Sequence, residues 1–152
     1  MPFYFEPTLS DAWLSGFTDA EGTFLCTVSK RKDTKRKLPF ALRLRYILSQ
    51  KDCDAELKYI TTLIGGSVEL TKSKLKVSRL AVYILSLDKI VDYLNKYPLR
   101  TQKLESFKKW IEIRKIVQAK EHLSITSMLA IKAKSREINR PKNTNLIEEN
   151  DF

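Results

Sequence analysis

Between Phe40 and Leu48 the side chains alternate: Phe40, Leu42, Leu44, Tyr46 and Leu48 fall on one side, Arg43, Arg45 and Ile47 on the other. A period of two describes a strand covered on one face and open on the other. Residues 23–32 alternate in the same way, Phe24, Cys26 and Val28 against Leu25, Thr27 and Ser29, and a charged turn at 33–37 joins the two strands. Upstream, Thr8-Leu9-Ser10-Asp11 fits a capping box, predicting a helix from there to about Ala20 that stops at Gly22. Downstream, apolar residues at helical spacing predict a helix over 52–64, closed by Gly65-Gly66. A hairpin over 67–71 and 77–85 follows, then helices over 88–97, 101–119 and 124–138. The order predicts an α+β fold with one αββαββα unit. One domain over 1–140 is expected, with a polar, acidic, mobile tail over 141–152 and no internal repeat.

Composition narrows the partners. Lys and Arg outnumber Asp and Glu by 28 to 18 in a chain of 152 residues, a formal net charge of +10. That balance favours a polyanion, nucleic acid or an acidic membrane surface. No run approaches the roughly 20 apolar residues that span a bilayer, and the first residues lack the basic-then-apolar order of a secretory signal. Cys26 and Cys53 stand apart and His122 is the one histidine, so neither a zinc site nor a disulfide framework is expected. Reduced thiols in an intracellular setting follow. No GxxxxGK[ST] motif is present.

The segment 14–22, LSGFTDAEG, puts Asp19 and Glu21 at the C-terminal end of a predicted helix. The helix dipole is already negative there, and carboxylates are disfavoured by roughly 0.3–1 kcal/mol each. The placement becomes useful if a divalent cation is held by carboxylate and helix-end carbonyl oxygens. Gly16 and Ala20 share one face with Ser15 and Ala12 beside it. Glycine inside a helix costs about 1 kcal/mol relative to alanine, a cost that close approach of another backbone offsets. Trp13 and Phe17 are expected to cover the face turned to the core. On the residues alone, an amphipathic helix ending in a polar turn stays open as the plain alternative.

The same segment resembles the LAGLIDADG motif of homing endonucleases, with Leu14, Gly16, Asp19, Ala20, Glu21 and Gly22 in register, and the longer string WLSGFTDAEGTF is similar to organellar intron-encoded members. Residues 48–52, 96–103, 120–123 and 131–134 resemble later segments of the family in the family's order. The resemblance implies a four-stranded antiparallel saddle sheet with helices on one face, and a metal-dependent DNA endonuclease. Glu21 and the Ala20 carbonyl would hold Mg2+, a site that Mn2+ or Ca2+ can also occupy. Gln50 would orient solvent, and Lys103, or its neighbour Gln102, would approach the scissile phosphate. One motif copy implies a homodimer with Ala12, Ser15, Gly16, Asp19 and Ala20 at its axis, each unit cutting one strand of a near-palindromic site to leave short 3′ overhangs. An organellar or microbial setting is implied as well.

The basic strands are expected to supply a DNA-reading surface, a solvated hairpin tip being the plain alternative. Lys35 and its neighbours at the first hairpin tip suit phosphates, while arginines on an open two-stranded ribbon suit base edges in the major groove. Ser29, Arg31, Arg43, Arg45 and Ile47 are expected on the reading face, joined by Ser67, Glu69, Thr71, Lys74, Lys76 and Ser78 from the second hairpin. Arg79 has the wrong parity in this scheme. Alternatives on the same fold are a non-cleaving RNA-splicing maturase with intron RNA as partner, a DNA-binding regulator, or a half-domain working with a different chain.

Overall fold

The computed structural model describes residues 7–30, 39–70 and 77–138. Along the chain these form α1 (Trp13–Glu21), β1 (Gly22–Lys30), β2 (Phe40–Lys51), α2 (Asp54–Ile64), β3 (Ser67–Leu70) and β4 (Val77–Tyr83). A single 3-10 turn at Ile84–Ser86 leads to α3 (Asp88–Lys96), α4 (Lys103–Gln118) and α5 (Ile125–Ser135). The strands make one antiparallel sheet in the order β1-β2-β4-β3. The α+β architecture is the expected one. The expected tail over 141–152 lies outside the described residues.

Register explains where the core sits. Phe24 pairs with Tyr46, Cys26 with Leu44 and Gly22 with Leu48, and Leu48 pairs in turn with Leu80. Cross-strand partners share a face, so these side chains form one apolar layer. The helices cover it with Leu14, Leu57, Ile60, Ile90, Phe107, Trp110 and Ile131, all buried. Phe24 is the hub, its ring centroid 5.1 Å from Trp110, 5.3 Å from Phe107 and 5.8 Å from Tyr46. The Trp110 indole N–H donates to the Leu25 carbonyl at 3.1 Å, so a helix satisfies a backbone acceptor of edge strand β1. Replacing Phe24 by Ala is expected to cost about 3–5 kcal/mol, the range for emptying a large aromatic site, measured as a lowered midpoint in urea.

The start of α1 differs from expectation for an identifiable reason, while its end at Gly22 is the expected one. α1 begins at Trp13, not near Thr8, because the Tyr93 hydroxyl occupies the place of a helical hydrogen bond. It accepts from the Ser15 N–H at 2.9 Å and donates to the Asp11 carbonyl at 2.7 Å. The Asp11 carboxylate takes the Trp13 N–H at 3.0 Å, and Thr8 bonds Asp11 and Ser10 in a turn outside the helix. At the other end Gly22 is extended, with φ −79° and ψ 155°. A Cβ there would lie 2.6 Å from Thr18 Cγ2 and 2.8 Å from the Thr18 carbonyl oxygen. Glycine is therefore required by crowding, and the helix passes into β1 with no intervening loop. Glu21 is the last helical residue before that junction.

Candidate active site and nucleic-acid interface

Asp19 and Glu21, two residues apart at the end of α1, have different surroundings. Both Asp19 carboxylate oxygens are occupied: Oδ2 accepts from the Arg100 N–H at 2.9 Å, and Oδ1 from the Thr101 N–H at 3.1 Å and the Thr101 hydroxyl at 2.6 Å. The Thr101 oxygen accepts in turn from the Lys103 N–H at 3.2 Å, which ties the end of α1 to the start of α4. Lys103 then reaches back, its Nζ donating to the Thr18 carbonyl at 3.2 Å. Burial pushes the Lys103 ammonium below its ordinary pKa, with Glu21 and Asp19 pulling the other way without cancelling the shift. Glu21 is exposed. Gln50, half-buried, lies two residues beyond the Leu48 that pairs with Gly22, so it stands at the same end of the sheet.

Burial also acts on Asp19, raising its pKa. The Thr101 hydroxyl, the two amides and Lys103 outweigh this and hold the carboxyl below its ordinary 3.8. A depressed folded-state pKa contributes stability that is complete above the unfolded value and lost as pH falls through the folded one. Asp19→Ala should therefore lower the melting temperature at neutral pH and leave it nearly unchanged at the acid end. A Tm-against-pH series for both proteins checks this.

For a divalent metal the donor chemistry fits in kind but is incomplete in number. Glu21 offers an exposed hard-oxygen ligand at the negative end of a helix. Asp19 is committed elsewhere, and among the described residues no group of three or more His, Cys, Asp or Glu could hold a metal.

The sheet face away from the helices carries the polar and basic positions. In β2 these are Arg43, Arg45 and Ser49, with the apolar Ile47 between them, and Thr23, Thr27 and Ser29, with Leu25, lie opposite in β1. Arg79, Ala81 and Tyr83 of β4 lie on the same face, and Ser67 and Glu69 of β3 complete it.

A profile described as LAGLIDADG endonuclease matches residues 14–114. The chain belongs to this family. It is 42% identical over 136 residues to Probable intron-encoded endonuclease 4 of Neurospora crassa, covering 90% of this chain and 24% of that protein. Its fold is similar to the homing endonuclease I-TnaI, with a TM-score of 0.78 and 26% identity over 88% of this chain and 90% of the other. It is also similar to the LAGLIDADG homing endonuclease I-LtrWI bound to target DNA, with a TM-score of 0.79 and 26% identity over 91% of this chain and 47% of that one. The chain thus spans about a quarter of the Neurospora protein and about half of I-LtrWI.

Within the LAGLIDADG fold, Lys103 lies near Glu21 at the end of α1, Ala20 is exposed beside Glu21, and Gln50 stands at the same end of the sheet. Ala12, Gly16 and Ala20 form an exposed stripe along the helix. Ser15 does not belong to it: it is buried, and its hydroxyl donates to the Tyr97 carbonyl at 2.8 Å, so it packs α1 inward onto the end of α3. Trp13 is 40% exposed and stacks on Phe17 at 5.3 Å. Phe17 packs against the core as expected, and the buried positions of α1 are Leu14, Ser15 and Thr18. Thr18 donates to the Leu14 carbonyl at 2.7 Å, so the Tyr46 hydroxyl, also 2.7 Å away, must be its donor.

On the sheet, Ser29, Arg43, Arg45, Ser67 and Glu69 lie on the open face, as does Ile47, although only 5% exposed. Ser78 does not. It pairs with Gln50 and Leu70, shares the helix-covered face with Leu80, and is 2% exposed. The β4 parity is therefore the reverse of that expected, and Arg79 takes the open position. Arg31, Lys35, Thr71, Lys74 and Lys76 lie outside the described residues. No described helix is long and apolar enough to cross a membrane.

Proposed function

We propose that this chain is a sequence-specific double-strand DNA endonuclease, working as a pair of identical units that each cut one strand of a near-palindromic site and leave short 3′ overhangs. The observation that carries the reading is Glu21: an exposed carboxylate at the end of the motif helix, beside Lys103 and at the margin of an open basic sheet. Two units packed through the Ala12–Gly16–Ala20 stripe would bring two such helix ends together. Close carboxylates facing phosphates repel unless cations lie between them. The Glu21 carboxylates and Ala20 carbonyls would hold Mg2+, or Mn2+ or Ca2+ in its place. The metal's contribution when bound is a lowered pKa for water and charge stabilisation at the phosphate. Lys103, fixed through Thr101 and Thr18, supplies positive charge near the scissile phosphate, and Gln50 holds solvent in place.

The open face would lie in the major groove, where Arg43 and Arg45 reach base edges. The I-LtrWI complex with target DNA supports DNA as the partner. Intron-encoded relatives support an organellar setting within the cell. A second reading places the partner unit within one longer polypeptide, since the chain covers 24% of the Neurospora protein and 47% of I-LtrWI. Selection of cleaved duplexes from a randomised library, with magnesium and with chelator, tests the proposal. A near-palindromic consensus cut only with metal is expected, and an asymmetric consensus would favour the second reading.

A further inference from the structure

Arg79 and Glu69 are direct cross-strand partners on the open face, and Arg79 is also in register with Ser49 of β2. Their charges are opposite, yet no ion pair joins them among the described residues. The Arg79 Nε is buried without a hydrogen-bond partner, and Arg45 shares this feature on the same face. A desolvated guanidinium nitrogen lacking an acceptor is an uncommon arrangement in a folded chain. Here it marks two arginines whose Nε atoms are buried while their forks meet no acceptor among the described residues. A fork held in this way loses little freedom when it meets a planar pair of acceptors.

Resting on the reading that DNA lies on this face, we propose that Arg79 and Glu69 together read a G·C base pair near the cleavage centre, about four base pairs inward of the pair read by Arg45. The chemistry follows from the two side chains. Arginine donates twice to guanine O6 and N7, and a carboxylate accepts from the cytosine amino group. Adjacent strands stand ~4.8 Å apart, so one base pair can meet both residues. Position follows from register. Arg45 pairs with Tyr83, and Arg79 with Ser49, four residues further along β2 toward the Leu48–Gly22 pair at the end of α1. Four strand residues span ~13 Å, and successive base pairs rise ~3.4 Å.

The test is binding selection of a randomised duplex library, sequenced for the full-length wild type, Arg79→Ala, Arg79→Lys, Glu69→Gln and Arg45→Ala, with melting temperatures alongside. The wild type is expected to prefer G·C at one inner position of each half-site. Arg79→Ala should weaken that preference about tenfold or more. Arg79→Lys, which keeps the charge but not the fork, should weaken it while retaining overall affinity. Glu69→Gln should act on the same base pair, and Arg45→Ala about four pairs outward. Uniform loss of affinity across all sequences in the Arg79 variants would make Arg79 a phosphate contact and overturn the inference. So would loss of preference at the Arg45 position or outside it. A wild type that selects no sequence would overturn the DNA-cutting proposal itself, and this inference with it.

Discussion

Replacing Glu21 by Gln is expected to slow DNA cleavage by about a thousandfold or more while changing DNA affinity only a few-fold. The substitution keeps size and hydrogen-bonding capacity but removes the one free carboxylate at the end of α1, since Asp19 is engaged by Arg100 and Thr101. Losing several kcal/mol of metal-mediated charge stabilisation at the phosphate corresponds to about three decades in rate. Folding should be untouched, because Glu21 is exposed and makes no side-chain hydrogen bond among the described residues. Affinity should hold because the basic sheet carries it, and one negative charge fewer beside DNA repels less. Single-turnover cleavage and filter binding on one duplex separate the two quantities. Equal cutting by Glu21→Gln and wild type would remove this residue from the mechanism.

Gly16→Leu is expected to leave the isolated unit at least as stable yet reduce cleavage by about a hundredfold or more. A Cβ at Gly16 meets nothing within 4 Å in the unit, and leaving glycine in a helix interior gains up to about 1 kcal/mol. If two α1 helices pack through this stripe, the added side chains enter the contact from both sides of a twofold axis. Overpacking of about 1–3 kcal/mol at each copy then weakens the pair. Sedimentation should show monomers at concentrations where the wild type self-associates, with an unchanged or raised Tm. A Gly16→Leu protein that cuts like the wild type would show that this helix face is not where the units meet.

The fold was legible in the sequence, and the resemblance to the LAGLIDADG motif singled out the end of α1 where the residues alone left an amphipathic helix ending in a polar turn open. β2 alternates apolar residues with arginines, so its faces could be assigned by inspection. The acidic end of α1 runs against the helix dipole, so it asked for a reason beyond stability. β4 was harder. It is an internal strand with Leu80 and Val82 on one face and Ala81 on the other, all three buried. Apolar residues on both faces erase the period-two contrast, and the parity of Ser78 and Arg79 was inverted. The start of α1 and the inward turn of Ser15 were illegible for another reason. Both depend on Tyr93 and the Tyr97 carbonyl, about 80 positions away, replacing local helix bonding with tertiary hydrogen bonds. Asp19 could be placed at the acidic end of α1, but its partners Arg100 and Thr101 could not be read.

The central claim is that two units each contribute one Glu21 and cut one strand apiece. The most direct measurement combines differently tagged wild-type and Glu21→Gln chains, isolates the mixed pair, and presents it with supercoiled plasmid carrying the selected site. Nicked circles should accumulate with little linear product, because one helix tip is intact and the other is disabled. Linear product at the wild-type rate would contradict the account, as would failure to recover any mixed pair.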